Sequence, residues 1–322
     1  MDGHMGFVRG WLVTMAGHKV LRAAACALSA ATVVSGQLYW NSTKFLFAFG
    51  DSYTTDGFNI SMGVNSTDPG YTSSNGPNWV EYLGGTYNVT ETKVFNLASG
   101  GATIDAALVA PYEPTVLSIV DQVTQFQEYL ASKPYGAQWD SSDSLFAIWI
   151  GINDVGNSYA WTNVTSQSAF HTVLMNRLFS QVDILYSDGA RNFLFLTVPP
   201  TNRAPLLIEA GPTAVAQIIA ALADYNDQLT AFAGLFQATH SGASVTIFDT
   251  RPVFNTLLDN YATFGYVNIT GYCAAYENGT PEMTTQELPC EPVSSYFWLN
   301  TLHPLYTVHN IVAHAISTIL NA

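Results

Sequence analysis

Four short polar stretches carry residues whose combined chemistry is nucleophilic attack on an ester. Ser52 sits at the apex of Gly50-Asp-Ser-Tyr. Gly101 lies in Ser99-Gly-Gly-Ala-Thr103, Asn153 in Gly151-Ile-Asn-Asp154, and His303 in Trp298-Leu-Asn-Thr-Leu-His-Pro304. A serine hydroxyl attacks a carbonyl once a base takes its proton, and histidine has the pKa range of such a base. The attack makes an oxyanion. Three donors are available to hold it: the backbone N–H of Ser52, the N–H of Gly101 and the side-chain amide of Asn153. Singly, each stretch has a plainer reading. Gly-Asp-Ser is an ordinary turn, and two glycines after a strand are an ordinary strand-to-loop joint.

The elements around these stretches give them a common place. Phe45 to Gly50 is aromatic-rich and too short for a helix, so it reads as a buried strand. Further strands are expected at 93–98, 144–150, 192–198 and 243–248. The spacing of Val116, Leu117, Val120, Val123, Phe126 and Leu130 predicts an amphipathic helix over 115–132. Other helices are expected from Asn78 to Leu83, over 166–186 and 213–238, from Val253 to Tyr261, and in a last segment to Leu320. Strand and helix alternate, which argues an α/β fold with a parallel sheet covered on both faces. No linker or repeat interrupts residues 37–322, so one domain is expected there. In such sheets the ligand crevice lies beyond the carboxyl ends of the strands. Three of the four stretches follow a strand and the fourth precedes the last helix, so all four are expected at that crevice.

Composition narrows the partners. Of 322 residues, 48% are hydrophobic and only 11% charged; Lys+Arg number 10 against 24 Asp+Glu, a net charge of -14. Nucleic acid needs a basic footprint and an anionic membrane surface needs a basic patch, so both are excluded as partners. No phosphate loop occurs, and no Gly-x-Ser-x-Gly elbow of the α/β-hydrolases.

Residues 1–36 read as a secretory signal peptide. Lys19 and Arg22 precede the small apolar run Ala23 to Val34, and Ser35-Gly36 offers a cleavage context before Gln37. The run is too short for a stable membrane anchor. Secretion agrees with seven Asn-x-Ser/Thr sequons, at Asn41, Asn59, Asn65, Asn88, Asn163, Asn268 and Asn278. It agrees also with the cysteines. Cys26 falls in the leader, and Cys273 and Cys290 bracket a Gly/Pro/Thr-rich loop as an expected disulfide. The chain is expected outside the cell, as a monomer.

The blocks Gly50-Asp-Ser-Tyr, Asn96-Leu-Ala-Ser-Gly-Gly101, Gly151-Ile-Asn-Asp154 and Leu302-His-Pro304 resemble, in order, the four motif blocks of the GDSL or SGNH hydrolase superfamily. Ser74-Asn-Gly-Pro-Asn-Trp79 and His303-Pro-Leu-Tyr-Thr-Val-His309 are similar to secreted fungal acetylesterases of carbohydrate esterase family 16. The resemblance implies a flavodoxin-like three-layer α/β/α fold with about five parallel strands. It implies a Ser52 nucleophile, a His303 base, and an oxyanion hole of Ser52, Gly101 and Asn153. Gly101 is preferred to Gly100 because the family's glycine falls five residues after the strand's Asn, here Asn96. It implies hydrolysis of short acyl esters on acetylated plant cell-wall oligosaccharides, with no metal or cofactor. One position departs from the family. The usual pattern is Asp-x-x-His, and here Asn300 holds the Asp position. An Asn carbonyl accepts the imidazole N–H but does not match a carboxylate in stabilising imidazolium. Two rivals stand beside this reading: a lipase or general carboxylesterase of the same fold, and a catalytically weak carbohydrate-binding relative.

The remaining histidines have structural readings. His309 and His314 are five apart on one helix, on different faces, which disfavours a zinc site. His171 and His240 are expected at the surface or at helix ends. Asp154 is expected to hold its loop by hydrogen bonds, and Asp249 to be structural. Trp79, Trp161 and Trp298 are expected to pack in the core rather than to form a sugar platform.

Overall fold

The computed structural model describes residues Trp40–Ala322. The leader-like segment 1–36 and Cys26 lie outside the described residues. Five strands form one parallel sheet: β1 (Phe45–Gly50), β2 (Lys93–Asn96), β3 (Ser144–Trp149), β4 (Asn192–Leu196) and β5 (Ser244–Phe248). Their order is β2-β1-β3-β4-β5, the flavodoxin-like arrangement. Register sets Phe47 of β1 between Phe95 of β2 and Phe146 of β3. The three rings stack, with centroids 5.4 and 4.7 Å from Phe47. Phe126 and Trp139 meet Phe47 edge-on. Strands buried on both faces can be apolar without alternation, as the parallel-sheet reading requires.

The helices are α1 (Trp79–Glu81, running into a single wide turn at Tyr82–Thr86), α2 (Ile119–Tyr129), α3 (Ile152–Ser158) and α4 (Gln167–Ser187). They continue with α5 (Pro205–Glu209), α6 (Pro212–Thr239), α7 (Arg251–Asp259) and α8 (Tyr306–Leu320). The long crossovers α2, α4 and α6 pack together as one layer. The first helix and its turn, with α7 and α8, form the other. Together with the sheet they make the expected three layers.

Local chemistry moves several boundaries inward. Helix α2 starts at Ile119 rather than 115, because Ser118 and Asp121 form a capping box that satisfies the first free N–H groups. Strand β2 ends at Asn96, because its side chain turns back into the chain. Asn96 Nδ2 donates to the Thr54 carbonyl (2.6 Å) and to Asp56 Oδ2 (2.8 Å), and Oδ1 accepts from the Ala98 N–H. The short helices α3 and α5 were not expected, since each offers too few residues for a periodic pattern. Both lie next to the candidate site.

One expectation is corrected. His171 is neither at the surface nor at a helix end: it is fully buried within α4, with Nδ1 2.6 Å from Asp224 Oδ2 on α6. The α4–α6 contact covers it, and a periodicity reading of one helix does not see its partner. His240 does close α6 as its C-terminal cap. Trp79 and Trp298 are buried, and Trp161 is half-buried against Phe170.

Candidate active site

The turn after β1 is held from several sides. Gly50 ends β1 where a Cβ would lie 2.4 Å from the Trp149 carbonyl, so a side chain does not fit there. Gln122, buried in α2, clamps the same residue. Its Oε1 accepts the Gly50 N–H, and its Nε2 donates to the Gly50 and Leu117 carbonyls, each at 2.9 Å. The sequence reading missed Gln122. A lone amide on an otherwise apolar helix face was its only signal. The Ser74-Asn-Gly-Pro-Asn-Trp79 block supplies a second brace. Asn78 Nδ2 donates to the Thr54 and Thr55 carbonyls, and Trp79 Nε1 to Thr54 Oγ1.

Across 251 residues of sequence, His303 Nε2 comes to 2.7 Å from Ser52 Oγ. On the other side of the ring, Nδ1 lies 3.0 Å from Asn300 Oδ1. The direction of that amide is settled by the backbone, because Oδ1 also accepts the N–H groups of Leu302 (3.1 Å) and His303 (3.0 Å). A flipped amide would face two N–H donors with its own N–H groups. With Oδ1 facing the ring, Nδ1 carries the proton and Nε2 is free to accept from Ser52. Burial pushes His303 down from 6.5 to about 4. Asn300 is neutral and offers no charge to oppose that shift.

Tyr53 joins the two loops. Its hydroxyl donates to the Leu302 carbonyl (2.5 Å), and its ring packs on the His303 ring at 5.6 Å between centroids. Behind it, His309 is buried against Tyr53 and Trp149, and burial pushes it down to about 3.

Gly101 and Asn153 follow the two strands that flank β1. Gly101 adopts φ +81°, and a Cβ there would lie 2.2 Å from the Tyr112 ring, so glycine suits both the turn and the contact. Asn153 stands in the first turn of α3. One of its amide protons is given to the Ala102 carbonyl at 2.8 Å, which leaves the other for a ligand. Asp154 beside it is buried and accepts from the Ile104 N–H, as expected of a loop-holding residue. Burial, more than any neighbouring charge, pushes Asp154 and the buried Asp51 up to about 7. Asp249 forks onto Arg251. Among the described residues, no cluster of His, Cys, Asp or Glu is arranged to hold a metal ion.

Two cavities adjoin these groups. A polar cleft of about 500 Å³ runs from Asn300 and His303 between two loops, past Tyr71, Thr72, Asn75, Glu277, Thr280 and Glu282. Cys273 is bonded to Cys290, closing the loop that forms one wall. Asn75 pins that loop, its Oδ1 accepting the Thr280 N–H at 2.6 Å. A smaller cavity of about 230 Å³ lies on the far side, beside Asn153 and Leu302.

A parallel five-stranded α/β/α sandwich, with a serine, a glycine, an asparagine and a histidine at its carboxyl edge, is the architecture of the SGNH hydrolases. The chain belongs to the GDSL-like lipase/acylhydrolase family, which it matches over residues 46–316. It is similar to an acetylesterase of Thermothelomyces thermophilus: 37% identical over 285 residues, covering 86% of this chain and 88% of the relative. It is also similar to an acetylesterase of Hypocrea jecorina, 27% identical over 48% of this chain and 47% of that one. Among solved structures it is similar to an acetylxylan esterase of Geobacillus stearothermophilus, with 15% identity, 88% of this chain and 97% of that chain covered, and a TM-score of 0.49. The chain is a carboxylic ester hydrolase.

Proposed function

We propose that the chain is a secreted serine acetylesterase acting on partly acetylated plant cell-wall oligosaccharides. The observation that carries the reading is the Ser52 Oγ–His303 Nε2 contact of 2.7 Å, with the polar cleft opening on the histidine side. In the first half-reaction Ser52 Oγ attacks the acetyl carbonyl and His303 Nε2 takes its proton. The oxyanion is held by the N–H groups of Ser52 and Gly101 and the free amide proton of Asn153. As the intermediate collapses, His303 gives the proton to the departing sugar oxygen. Water then attacks the acetyl-enzyme with His303 as base, and acetate and Ser52 are released. Asn300 holds the imidazole in the tautomer that both steps need.

The leaving oxygen must lie within reach of His303, so the sugar belongs in the cleft that His303 lines. That cleft offers hydroxyls, amides and carboxylates, the groups that bind sugars. It also offers the exposed ring of Tyr71 for stacking. Secretion is supported by the leader-like segment and by the sequons. Asn41, Asn59, Asn65, Asn163 and Asn278 are exposed, and Asn88 and Asn268 half-buried. Among the described residues no helix is long and apolar enough to cross a membrane.

Acetate release from acetylated xylo-oligosaccharides, by wild type and by Ser52→Ala, tests the reading. Release by wild type alone is expected. Sugar binding without turnover of any ester points instead to a non-catalytic relative. Turnover of long-chain esters with no acetate released from the oligosaccharides points to a lipase.

Tyr53→Phe probes the positioning of His303. It removes the tie to Leu302 but keeps the ring contact. The expected result is a fall of about 3- to 10-fold in kcat with KM nearly unchanged, as for loss of one neutral hydrogen bond that holds a general base in place. A change confined to KM would show that Tyr53 acts on substrate binding and not on His303.

A further inference from the structure

We propose that Tyr112 is a sugar-stacking platform on the glycine side of the site, and that the substrate is an oligosaccharide lying across the mouth with its acetyl group pointing in. The inference rests on the acetylated-oligosaccharide reading above and specifies that a chain of several sugar units is preferred to a single one.

Exposed rings are common, and one by itself carries nothing. Tyr112 is 74% exposed, and its place sets it apart. The Cδ1–Cε1 side of its ring lies against Gly101, so close that a Cβ on Gly101 would meet Cε1 at 2.2 Å. The ring therefore borders the oxyanion hole, and most of it is open to solvent.

The loop that carries Tyr112 leaves the oxyanion turn and returns to it. Thr103 Oγ1 donates to the Val109 carbonyl at 2.8 Å, and the Leu117 N–H donates to Ser99 Oγ at 3.2 Å. The Ile119 N–H donates to the Thr103 carbonyl at 3.0 Å. Arg177 of α4 holds Asp105 of the loop at 2.7 Å. Pro111 and Pro114 flank Tyr112-Glu113, and each fixes a backbone torsion. A tyrosine ring on a loop tied in this way loses little entropy when a ligand covers it.

Topology places a second exposed ring on the other bank. Tyr71, 76% exposed, lines the polar cleft and lies in the segment that leads into α1, in one helical layer. Tyr112 lies in the segment that leads into α2, in the other layer. The Ser52 turn ends β1 between the two layers. An acetyl group is a side branch of a glycan. When it enters toward Ser52, the chain that bears it runs over the mouth and meets both banks. The C–H groups of a sugar face then pack on the open ring of Tyr112. A single sugar engages the His303 side alone, and a longer chain reaches Tyr112 as well.

The test measures acetate release from acetylated xylose, xylotriose and xylohexaose. The wild-type KM is expected to fall with chain length. Tyr112→Ala is expected to raise KM for the hexaose about 5- to 30-fold, the usual loss on truncating an aromatic anchor. Its kcat is expected to change far less, as when binding common to ground and transition state is removed. The effect on acetylated xylose is expected to be several-fold smaller. Tyr112→Leu keeps bulk over Gly101 without a flat face and is expected to match Tyr112→Ala, whereas Tyr112→Phe keeps the face and is expected to restore KM. Melting temperatures near that of wild type show the variants folded. An equal loss for all three sugars, carried by kcat, makes Tyr112 a support of the oxyanion turn and overturns the platform. So does a wild-type KM that does not fall with chain length, a hexaose KM that no folded variant moves, or full rescue by Tyr112→Leu. Turnover of p-nitrophenyl acetate with no acetate released from any of the sugars overturns the oligosaccharide reading itself, and the platform with it.

Discussion

Ser52→Ala is expected to lower kcat/KM for acetate esters by roughly 10⁴ to 10⁶, the range seen when a serine nucleophile is removed. The fold should not change. Ser52 Oγ hydrogen-bonds to the His303 ring, and the turn is held by Gln122, Asn78 and Trp79, none of which uses the hydroxyl. A melting temperature within a few degrees of wild type is therefore the expected companion result. His303→Ala should cost about as much, and the double variant little more than either single one, because two groups that act as one unit do not add. Residual activity in Ser52→Ala equal to wild type, in a preparation free of other esterases, would refute the nucleophile. Activity losses of Ser52→Ala and His303→Ala that multiply would show that the pair does not act together.

The second large effect concerns Asn300. Asn300→Ala is expected to slow turnover by about 10-fold or more, the usual cost of losing an oriented general base. The structure adds a reason beyond the imidazole contact. Asn300 Oδ1 also accepts the Leu302 and His303 N–H groups, so alanine loosens the loop as well as the ring. Asn300→Asp keeps all three acceptors and adds charge. It is expected to be neutral or faster, since a carboxylate strengthens the hydrogen bond from Nδ1 and stabilises the imidazolium. The pH profile separates the two contributions. Only neutral His303 can accept the serine proton, so activity falls as pH drops through its pKa. Burial sets that value at about 4, and the wild-type acidic limb is expected there. A carboxylate at residue 300 favours the protonated ring, raises the pKa and moves the limb to higher pH. Asn300→Asp with an unmoved acidic limb, together with Asn300→Ala at full kcat/KM, would leave Asn300 a bystander to catalysis.

Asn300 also shows how far single-chain reading reaches. Three residues before His303, an Asn in place of the family's Asp reads as a departure with an uncertain orientation. Which end of its amide faces the ring depends on two backbone N–H groups of a folded loop, and no spacing rule supplies those. Gln122 and Tyr53 are similar. As sequence they are a polar residue on a helix and an aromatic after a serine. Their functions as clamps appear only when Gly50 and Leu302 come within 3 Å of them. His171 was misplaced for the same reason: its burial comes from α6, whose Asp224 lies 53 residues away along the chain.

The parts that depend on short-range chemistry were legible. Apolar runs of strand length named all five strands, because a strand buried on both faces leaves no room for polar residues. Helical periodicity named α2, because one face must meet the sheet, and α4 and α6 were expected as long helices between strands. The alternation of these elements carried the parallel sheet, and the sheet placed Ser52, Gly101 and Asn153 at one edge. The two cavities were not legible. Each is bounded by loops far apart in sequence: residues 70–76 against 277–283 for the polar one, and α3 against α5 and Leu302 for the apolar one. A segment's own residues decide whether it becomes strand or helix, through propensity and pattern. The space left between two distant loops is decided by closure of the whole chain, and only the tertiary structure records it.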